Sequence, residues 1–233
     1  IIVRKELGDM EKKELEKKID TLFKEQCANI VIPNYKVKVL KRWIKIIGNN
    51  QAVEGDVFYQ FLSPKFCQLG AITTLHLYGS IANGLIGQIL SNIDPHPRYP
   101  LITGNYKFSR TAKYMGGPDF SFYQTDNVEE RIRFLIEPIK NDIIPRFDNF
   151  LNCKEGLIED VFSEPEYYKC PYAIALITLY LNNKNTEDNI KVLREEAIKA
   201  KLKDMKMASM IEEKVFQYFM RIRSWHPDSK IKN

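Results

Sequence analysis

The stretch AITTLHLY, residues 71–78, sets the fold class because its side chains alternate strictly in character. Thr73, Leu75 and Leu77 fall on one side of an extended chain, and the intervening residues fall on the other. A period of two is typical of a strand with one buried face in an antiparallel sheet. The stretch therefore predicts a half-buried antiparallel strand.

Further strands are predicted on both sides of this segment. Residues 56–62 (DVFYQFL) are rich in aromatic and β-branched residues, and residues 37–47 predict one or two strands that end at the turn signal Gly48-Asn49-Asn50. Residues 119–124 (DFSFYQ) predict a last strand, and a short strand is possible over 106–110. The links between these strands are short and contain no helix, which favours an antiparallel meander over a parallel sheet.

Helical periodicity precedes the strands and follows them. Asp9 is a candidate N-cap for a helix that runs to about Ala28. From Asn127 onward the chain is helical, with Pro138 and Pro145 expected to kink or divide it. Thr186 is expected to cap a later helix. For the last helix, residues 209 and 212 have capping-box spacing. Its predicted apolar face consists of Ile211, Val215, Phe216, Phe219 and Ile222.

The order of elements predicts an α+β fold with an N-terminal helix, an antiparallel β-meander and a helical C-terminal third. A boundary is expected near residues 151–155, which separates an α+β domain (10–152) from a helical extension packed on it (153–233). No flexible linker marks this boundary, so one continuous domain is the alternative.

Composition narrows the class of function. The 233 residues carry a formal net charge of +5, which is mild for a nucleic-acid-binding protein. The four cysteines are scattered without a C-x-x-C pair, so no disulfide scaffold is expected, and the cysteines are predicted to be small buried hydrophobic residues. The sequence contains no run of about 18 apolar residues, so no membrane-spanning helix is predicted. We expect a cytoplasmic protein that has no cofactor and for which nucleic acid is a poor candidate partner.

A basic cluster with aromatic residues is the strongest candidate site. Lys36 and Lys38 would share one face of a strand, from which they could bind phosphates or an acidic protein. The alternative interpretation is a solvated sheet face or an edge strand protected by lysine. The candidate partner-binding residues are Lys36, Lys38, Arg42, Trp43 and Lys45.

Candidate catalytic groups are sparse. Pro118-Asp119 begins like a metal-dependent nuclease pattern, but no acid-x-Lys follows it on a strand. Glu54, Asp56 and His76 are the other candidates, and an enzyme would require at least two of these groups to converge in one pocket. The three histidines, His76, His96 and His226, lie too far apart in sequence to indicate a zinc site.

Two short stretches resemble an uncharacterised bacterial family, the domain of unknown function numbered 4304. They are residues 56–61 (DVFYQF) and residues 144–150 (IPRFDNF), and the resemblance covers roughly residues 10–162. It implies an α+β fold and no established activity. Some domains of this kind are similar to immunity proteins that are encoded beside bacterial toxins.

Three hypotheses of function follow. The first is a non-enzymatic protein-binding protein, of the immunity type that neutralises a toxin, because an inhibitor needs a complementary surface and no catalytic motif. The second is a hydrolase or nuclease-like enzyme of unknown substrate that uses Asp119, Glu54, Asp56 or His76. The third is a nucleic-acid-binding protein that uses the lysines of residues 36–45. The sequence favours the first.

Overall fold

The fold is α+β, with an N-terminal helix, a five-stranded sheet and a helical C-terminal part, as the sequence predicts. The computed structural model describes residues 2–81, 84–93 and 120–225. The strands are β1 (Lys36–Val39), β2 (Trp43–Ile47), β3 (Val53–Phe61), β4 (Thr73–Ile81) and β5 (Phe120–Phe122). The helices are α1 (Ile2–Cys27), α2 (Leu85–Ile93), α3 (Val128–Pro138), α4 (Ile144–Leu151), α5 (Gly156–Ser163), α6 (Pro171–Leu181), α7 (Glu187–Lys199) and α8 (Ala208–Trp225).

The sheet has the order β1-β2-β3-β4-β5, and every neighbouring pair is antiparallel. The predicted antiparallel order of the strands is therefore confirmed, and residues 37–47 contain two strands. The prediction that no helix lies between strands is wrong at one place, since α2 lies between β4 and β5, where the apolar residues of 85–93 form a helix. The register between β2 and β3 shifts at residues 46 and 47. The possible strand over 106–110 lies outside the described residues.

Alternation along the strands separates the two faces of the sheet as predicted. One face is buried and includes Ile44, Val57, Tyr59 and Leu75. Helix α1 packs on this face, where the Phe23 ring meets the Tyr59 ring edge-on at 4.9 Å between centroids. This arrangement forms the core of the β-sheet unit.

Two of the predicted helix starts are wrong. Helix α1 begins at Ile2, so Asp9 lies inside it. Residues 4–7 (RKEL) are good helix formers, and the helix continues through Gly8. Helix α8 begins at Ala208, directly after a 3₁₀ turn over Met205–Met207, so Ser209 lies inside the helix. By contrast, Thr186 caps α7 as predicted, and its Oγ1 accepts the Asn189 N–H at 3.2 Å.

The two prolines lie in a helical stretch that is interrupted by a π-helical segment. Helix α3 ends at Pro138, a π-helical turn spans Ile139–Ile143, and Pro145 is the second residue of α4. Proline removes an N–H donor and crowds the carbonyl four residues earlier, and the wider π turn accommodates this. The Ile144 N–H donates to the Ile139 carbonyl across that turn.

The described chain forms two compact units. The first contains residues 1–81 and 106–147, and the second contains residues 82–105 and 148–233. The predicted division into domains 10–152 and 153–233 stays a prediction, because compact units describe contacts within the structure and not which parts of the chain fold separately. The compact units divide the chain differently, since the second unit also includes α2.

Helix α6 is the centre of the second unit. Its residues from Pro171 to Tyr180 are all buried, and α2, α5, α7 and α8 pack around it. The buried Asp204 carboxylate accepts the N–H groups of Tyr172 and Ala173, each at 3.1 Å, and so caps the start of this helix. Glu212 accepts hydrogen bonds from Tyr172 and Arg194 instead of forming the predicted capping box.

Within the described residues, no helix is both long enough and apolar enough to span a membrane.

The apolar face predicted for α8 is only partly correct. Ile211, Val215 and Phe219 are buried, whereas Phe216 and Ile222 are 45% and 37% exposed.

Candidate functional site

The face of the sheet opposite α1 carries three of the predicted lysines. Lys36 and Lys38 alternate with half-buried valines along β1 and are exposed. Lys38 pairs directly with Lys45 of β2, which places their side chains on the same face. Like charges at directly opposed positions repel, and Asp56 of β3, which is directly opposite Lys45 on its other side, offsets part of this repulsion.

An aromatic row crosses three strands beside these lysines. In the sheet register Trp43 is opposite Phe58, and Phe58 is opposite Tyr78. The ring centroids of Trp43 and Phe58 are 5.1 Å apart, and those of Phe58 and Tyr78 are 5.0 Å apart with the rings stacked. Trp43 and Tyr78 are each 37% exposed. We call this surface the aromatic–lysine face, and it consists of Lys36, Lys38, Trp43, Lys45, Phe58 and Tyr78.

Polar contacts fix the orientation of Trp43. Its indole N–H donates to Asp56 Oδ2 at 3.0 Å, and the Ser80 hydroxyl donates to Asp56 Oδ1 at 2.6 Å. The Lys45 ammonium lies 4.4 Å from the centroid of the Trp43 ring, which is a cation–π distance. These contacts hold the indole in a fixed orientation.

Arg42, the fifth predicted partner-binding residue, lies apart from this face. It donates from Nε to Asp20 Oδ1 at 2.7 Å and from Nη2 to Asp20 Oδ2 at 2.9 Å, on the side of the sheet that α1 covers. The Tyr59 hydroxyl also donates to Asp20, at 2.7 Å, and Lys41 Nζ lies 3.0 Å from Asp20 Oδ2. We call these four residues the Asp20 cluster.

The Asp20 cluster has perturbed pKa values. Burial acts to raise the pKa of Asp20, but the hydrogen bonds from Arg42, Tyr59 and Lys41 outweigh it and hold this pKa below its usual value. Burial, together with the bond to Asp20, raises the pKa of Tyr59. The other three side chains all contact the Asp20 carboxylate, so the cluster joins α1 to the sheet.

The candidate catalytic groups do not converge within the described residues. Glu54 and Asp56 belong to the same strand, with Glu54 buried and Asp56 bonded to Trp43 and Ser80. The His76 ring lies beside the Tyr78 ring, tilted by 45° with 4.5 Å between centroids. His76 is four residues along β4 from Ser80, which corresponds to roughly 13 Å. Asp119, His96 and His226 lie outside the described residues. In the part of the chain that the structure describes, no three His, Cys, Asp or Glu side chains form a possible metal site.

Comparisons with protein-family models, with curated proteins and with solved structures find no match. The resemblance to the domain of unknown function numbered 4304 therefore stays a prediction. Its first stretch, residues 56–61, lies in β3, where Phe58 and Asp56 belong to the open face and Val57 and Tyr59 belong to the core.

Sequence reasoning did not identify Phe58 and Tyr78 as members of the site. Alternation within β3 places Phe58 on the open face, because its neighbour Tyr59 faces the core. Alternation within β4 likewise places Tyr78 on the open face, because its neighbour Leu77 faces the core. The missing information was the register between strands, which brings Trp43, Phe58 and Tyr78 into one row. Register depends on the turns and on packing of the core face, so it could not be obtained from each strand separately.

Proposed function

We propose that this chain is a non-enzymatic binding protein whose aromatic–lysine face binds an acidic surface of a protein partner. The observation that carries the proposal is the row of Trp43, Phe58 and Tyr78 on a solvent-facing side of the sheet, bordered by lysines. Aromatic residues that are held rigid and partly exposed are the usual anchors of protein interfaces.

Charge favours an acidic partner. Lys36, Lys38 and Lys45 carry three positive charges on this face, and Asp56, directly opposite Lys45, carries a negative charge. A partner that presents carboxylates around an apolar centre would place them near the lysines while its centre covers the aromatic row. Such complementarity accelerates association and excludes basic partners.

Two features favour a protein over a single-stranded nucleic acid. The Phe58 and Tyr78 rings stack on each other with an interplanar angle of 18°, so their facing surfaces are not available to a base. The Asp56 carboxylate lies within the same face and would repel a phosphate backbone. A protein surface, by contrast, could supply donors to Asp56 and apolar groups to the rings.

We further propose a role of the immunity type, in which the bound partner is a toxin. This proposal is supported by the resemblance of residues 56–61 and 144–150 to a bacterial family with immunity-like members, and by an interface that requires no catalytic group. An inhibitor of this kind acts by covering a functional surface of the toxin, and acidic toxin surfaces would meet the lysines.

The test is co-purification and co-expression with the product of the adjacent gene. The wild-type chain should form a complex of fixed stoichiometry and abolish the toxicity of that product. The variant Lys36→Glu/Lys38→Glu should bind at least about tenfold more weakly, which is about 1.4 kcal/mol. The variant Lys191→Glu/Lys199→Glu makes the same charge change on exposed positions of α7 and should bind like wild type.

Trp43→Ala probes the anchor separately. Loss of a central tryptophan from an interface costs about 2 kcal/mol or more in binding free energy. If both face variants bind the partner as tightly as the α7 control does, the aromatic–lysine face is not the interface. Cleavage of a nucleic-acid or ester substrate by the purified chain would instead support the hydrolase or nuclease hypothesis.

A further inference from the structure

The outer edge of β1 carries unpaired backbone groups. Strand β1 is the first strand of the sheet and pairs only with β2. The Leu40 N–H donates to the Trp43 carbonyl at 2.7 Å, and hydrogen-bonded pairs recur at every second residue of an antiparallel ladder. Lys38 and Lys36 therefore bond to β2, and the N–H and C=O groups of Val37 and Val39 point away from it. No group among the described residues bonds to them.

A groove lies between this edge and α1. Its volume is about 810 Å³, and Val37, Val39 and Ala28 supply apolar lining. Val37 and Val39 are only half-buried, whereas Ile44 and Ile46, which are on the same face of the next strand, are completely buried. Helix α1 therefore covers β2 fully but leaves space beside β1 for additional side chains.

Positive charge exceeds negative charge at the groove and the edge. The lining contains the exposed Glu25 and the ion-paired Asp20, against three lysines. Lys17 and Lys24 are exposed and lie seven residues apart on α1, which places them two turns apart on the side that lines the groove. On the opposite face of β1, Lys36 and Lys38 are exposed. A second copy of this chain added along β1 would place lysine beside lysine, so self-pairing at this edge is disfavoured.

We propose that β1 accepts an extended segment of a partner protein as a sixth strand, with acidic and apolar residues alternating along that segment. The Val37 and Val39 backbone groups bind the segment by main-chain hydrogen bonds, the mode known as β-augmentation. The groove and the backbone edge lie on the α1 side and are distinct from the aromatic row, but Lys36 and Lys38 border both sites. Variants in the groove and at Val37 therefore test this site without changing the aromatic–lysine face.

The register of the added strand determines which residues it needs. Residues directly opposite Val37 and Val39 point into the groove and should be apolar, because Val37, Val39 and Ala28 line it. The residue between them is opposite Lys38 and should be acidic, since a cross-strand pair of opposite charges is stabilising. Acidic residues in the flanks would lie near Lys36, Lys17 or Lys24.

Fluorescence anisotropy with a labelled eight-residue peptide tests the proposal. In the probe, valine alternates with glutamate, and in the control peptide four glutamates precede four valines, so composition and charge are equal. The alternating peptide should bind at least about tenfold more tightly than the block peptide, because only alternation places all valines in the groove. Equal affinity of the two peptides would show that binding depends only on non-specific charge attraction, and this would overturn the proposal.

Two variants locate the peptide. Val37→Pro removes an outward-pointing N–H without removing a bond to β2, and edge strands tolerate proline at such positions. It should weaken binding about threefold to tenfold, the effect of one hydrogen bond. Lys17→Glu/Lys24→Glu changes only exposed side chains, so it keeps the test valid if Val37→Pro unfolds. It should weaken binding by a similar factor, whereas Lys191→Glu/Lys199→Glu should not.

Hydrogen–deuterium exchange gives a measurement that does not depend on variants. Addition of the alternating peptide should slow exchange of the Val37 and Val39 amides, while protection elsewhere in the sheet stays constant. Unchanged exchange at these two amides in the presence of saturating peptide would refute the proposal. Sedimentation that shows the chain alone to dimerise, with loss of the dimer in Val37→Pro, would assign the edge to a second copy instead.

Discussion

Replacing Asp20 by asparagine keeps the volume of the side chain but removes the charge at the centre of the Asp20 cluster. The carboxylate is 1% exposed and accepts two hydrogen bonds from Arg42 and one from Tyr59, with Lys41 also in contact. The amide would present an NH₂ donor toward these donors, and the guanidinium would remain without its counter-charge. Removal of one partner from a buried ion pair costs about 3–5 kcal/mol.

The exposure of the cationic partners reduces this cost. The side chains of Arg42 and Lys41 are 38% and 67% exposed, so both can turn toward water when the carboxylate is lost. We therefore expect Asp20→Asn to lower the free energy of unfolding by about 3 kcal/mol, the low end of the range for buried pairs. Tyr59→Phe removes one hydrogen bond to a charged group and should cost about 1.5–3 kcal/mol. Lys41→Ala should cost less than about 1 kcal/mol.

The assay is urea unfolding followed by circular dichroism, repeated from pH 7 to pH 3. Because the pKa of Asp20 is lower in the folded protein than its ordinary value of 3.8, folding favours the ionised form. This contribution is fully present above pH 3.8 and is lost as the pH falls through the folded pKa. The difference in stability between wild type and Asp20→Asn should therefore be largest near pH 7 and shrink below pH 3.8. A loss under about 1 kcal/mol at pH 7, or a difference that does not change with pH, would refute this reasoning.

Three further predictions concern the rest of the chain. Thr186→Ala removes the cap of α7 and should lower the free energy of unfolding by about 1 kcal/mol, measured by urea titration. Burial raises the pKa of the Cys27 thiol to about 12, whereas Cys67 is partly exposed. Iodoacetamide at pH 8 should therefore alkylate Cys67 and not Cys27 in the native protein, as mapped by mass spectrometry. Phe219 is buried and Phe216 is exposed, so Phe219→Ala should lower the free energy of unfolding by about 3–5 kcal/mol and Phe216→Ala by less than about 1 kcal/mol. Equal losses of stability in thermal unfolding would contradict the assigned burial.

Local patterns predicted most of the elements because each pattern depends only on neighbouring residues. Alternation in residues 71–78 identified β4 and its two faces, and Thr186 identified the start of α7. Local patterns were less reliable where a second interaction competed with the local one. Glu212 has capping-box spacing from Ser209, but Tyr172 and Arg194, which are distant in sequence, hold its carboxylate instead.

The same distinction applies to the candidate sites. The lysines of residues 36–45 were recognisable as a cluster, since alternation places Lys36 and Lys38 on one face of a strand. Arg42 belonged to the same cluster in sequence but lies at the turn between β1 and β2, from which it reaches the buried carboxylate of Asp20. Sequence proximity could not distinguish an arginine that stabilises the core from lysines that face solvent.

The amino-acid sequence by itself determined the α+β class, the antiparallel meander and the side of each strand that faces the core, because hydrophobic periodicity is a local property of the chain. Only the tertiary structure decided the register between neighbouring strands and where the helices cover the sheet. Register brought Trp43, Phe58 and Tyr78 into one row, and the placement of α1 over β2 but not over β1 created the groove beside Val37 and Val39. Both surfaces depend on contacts between residues that are distant in sequence, and the free energy of those contacts is set by packing of the whole unit.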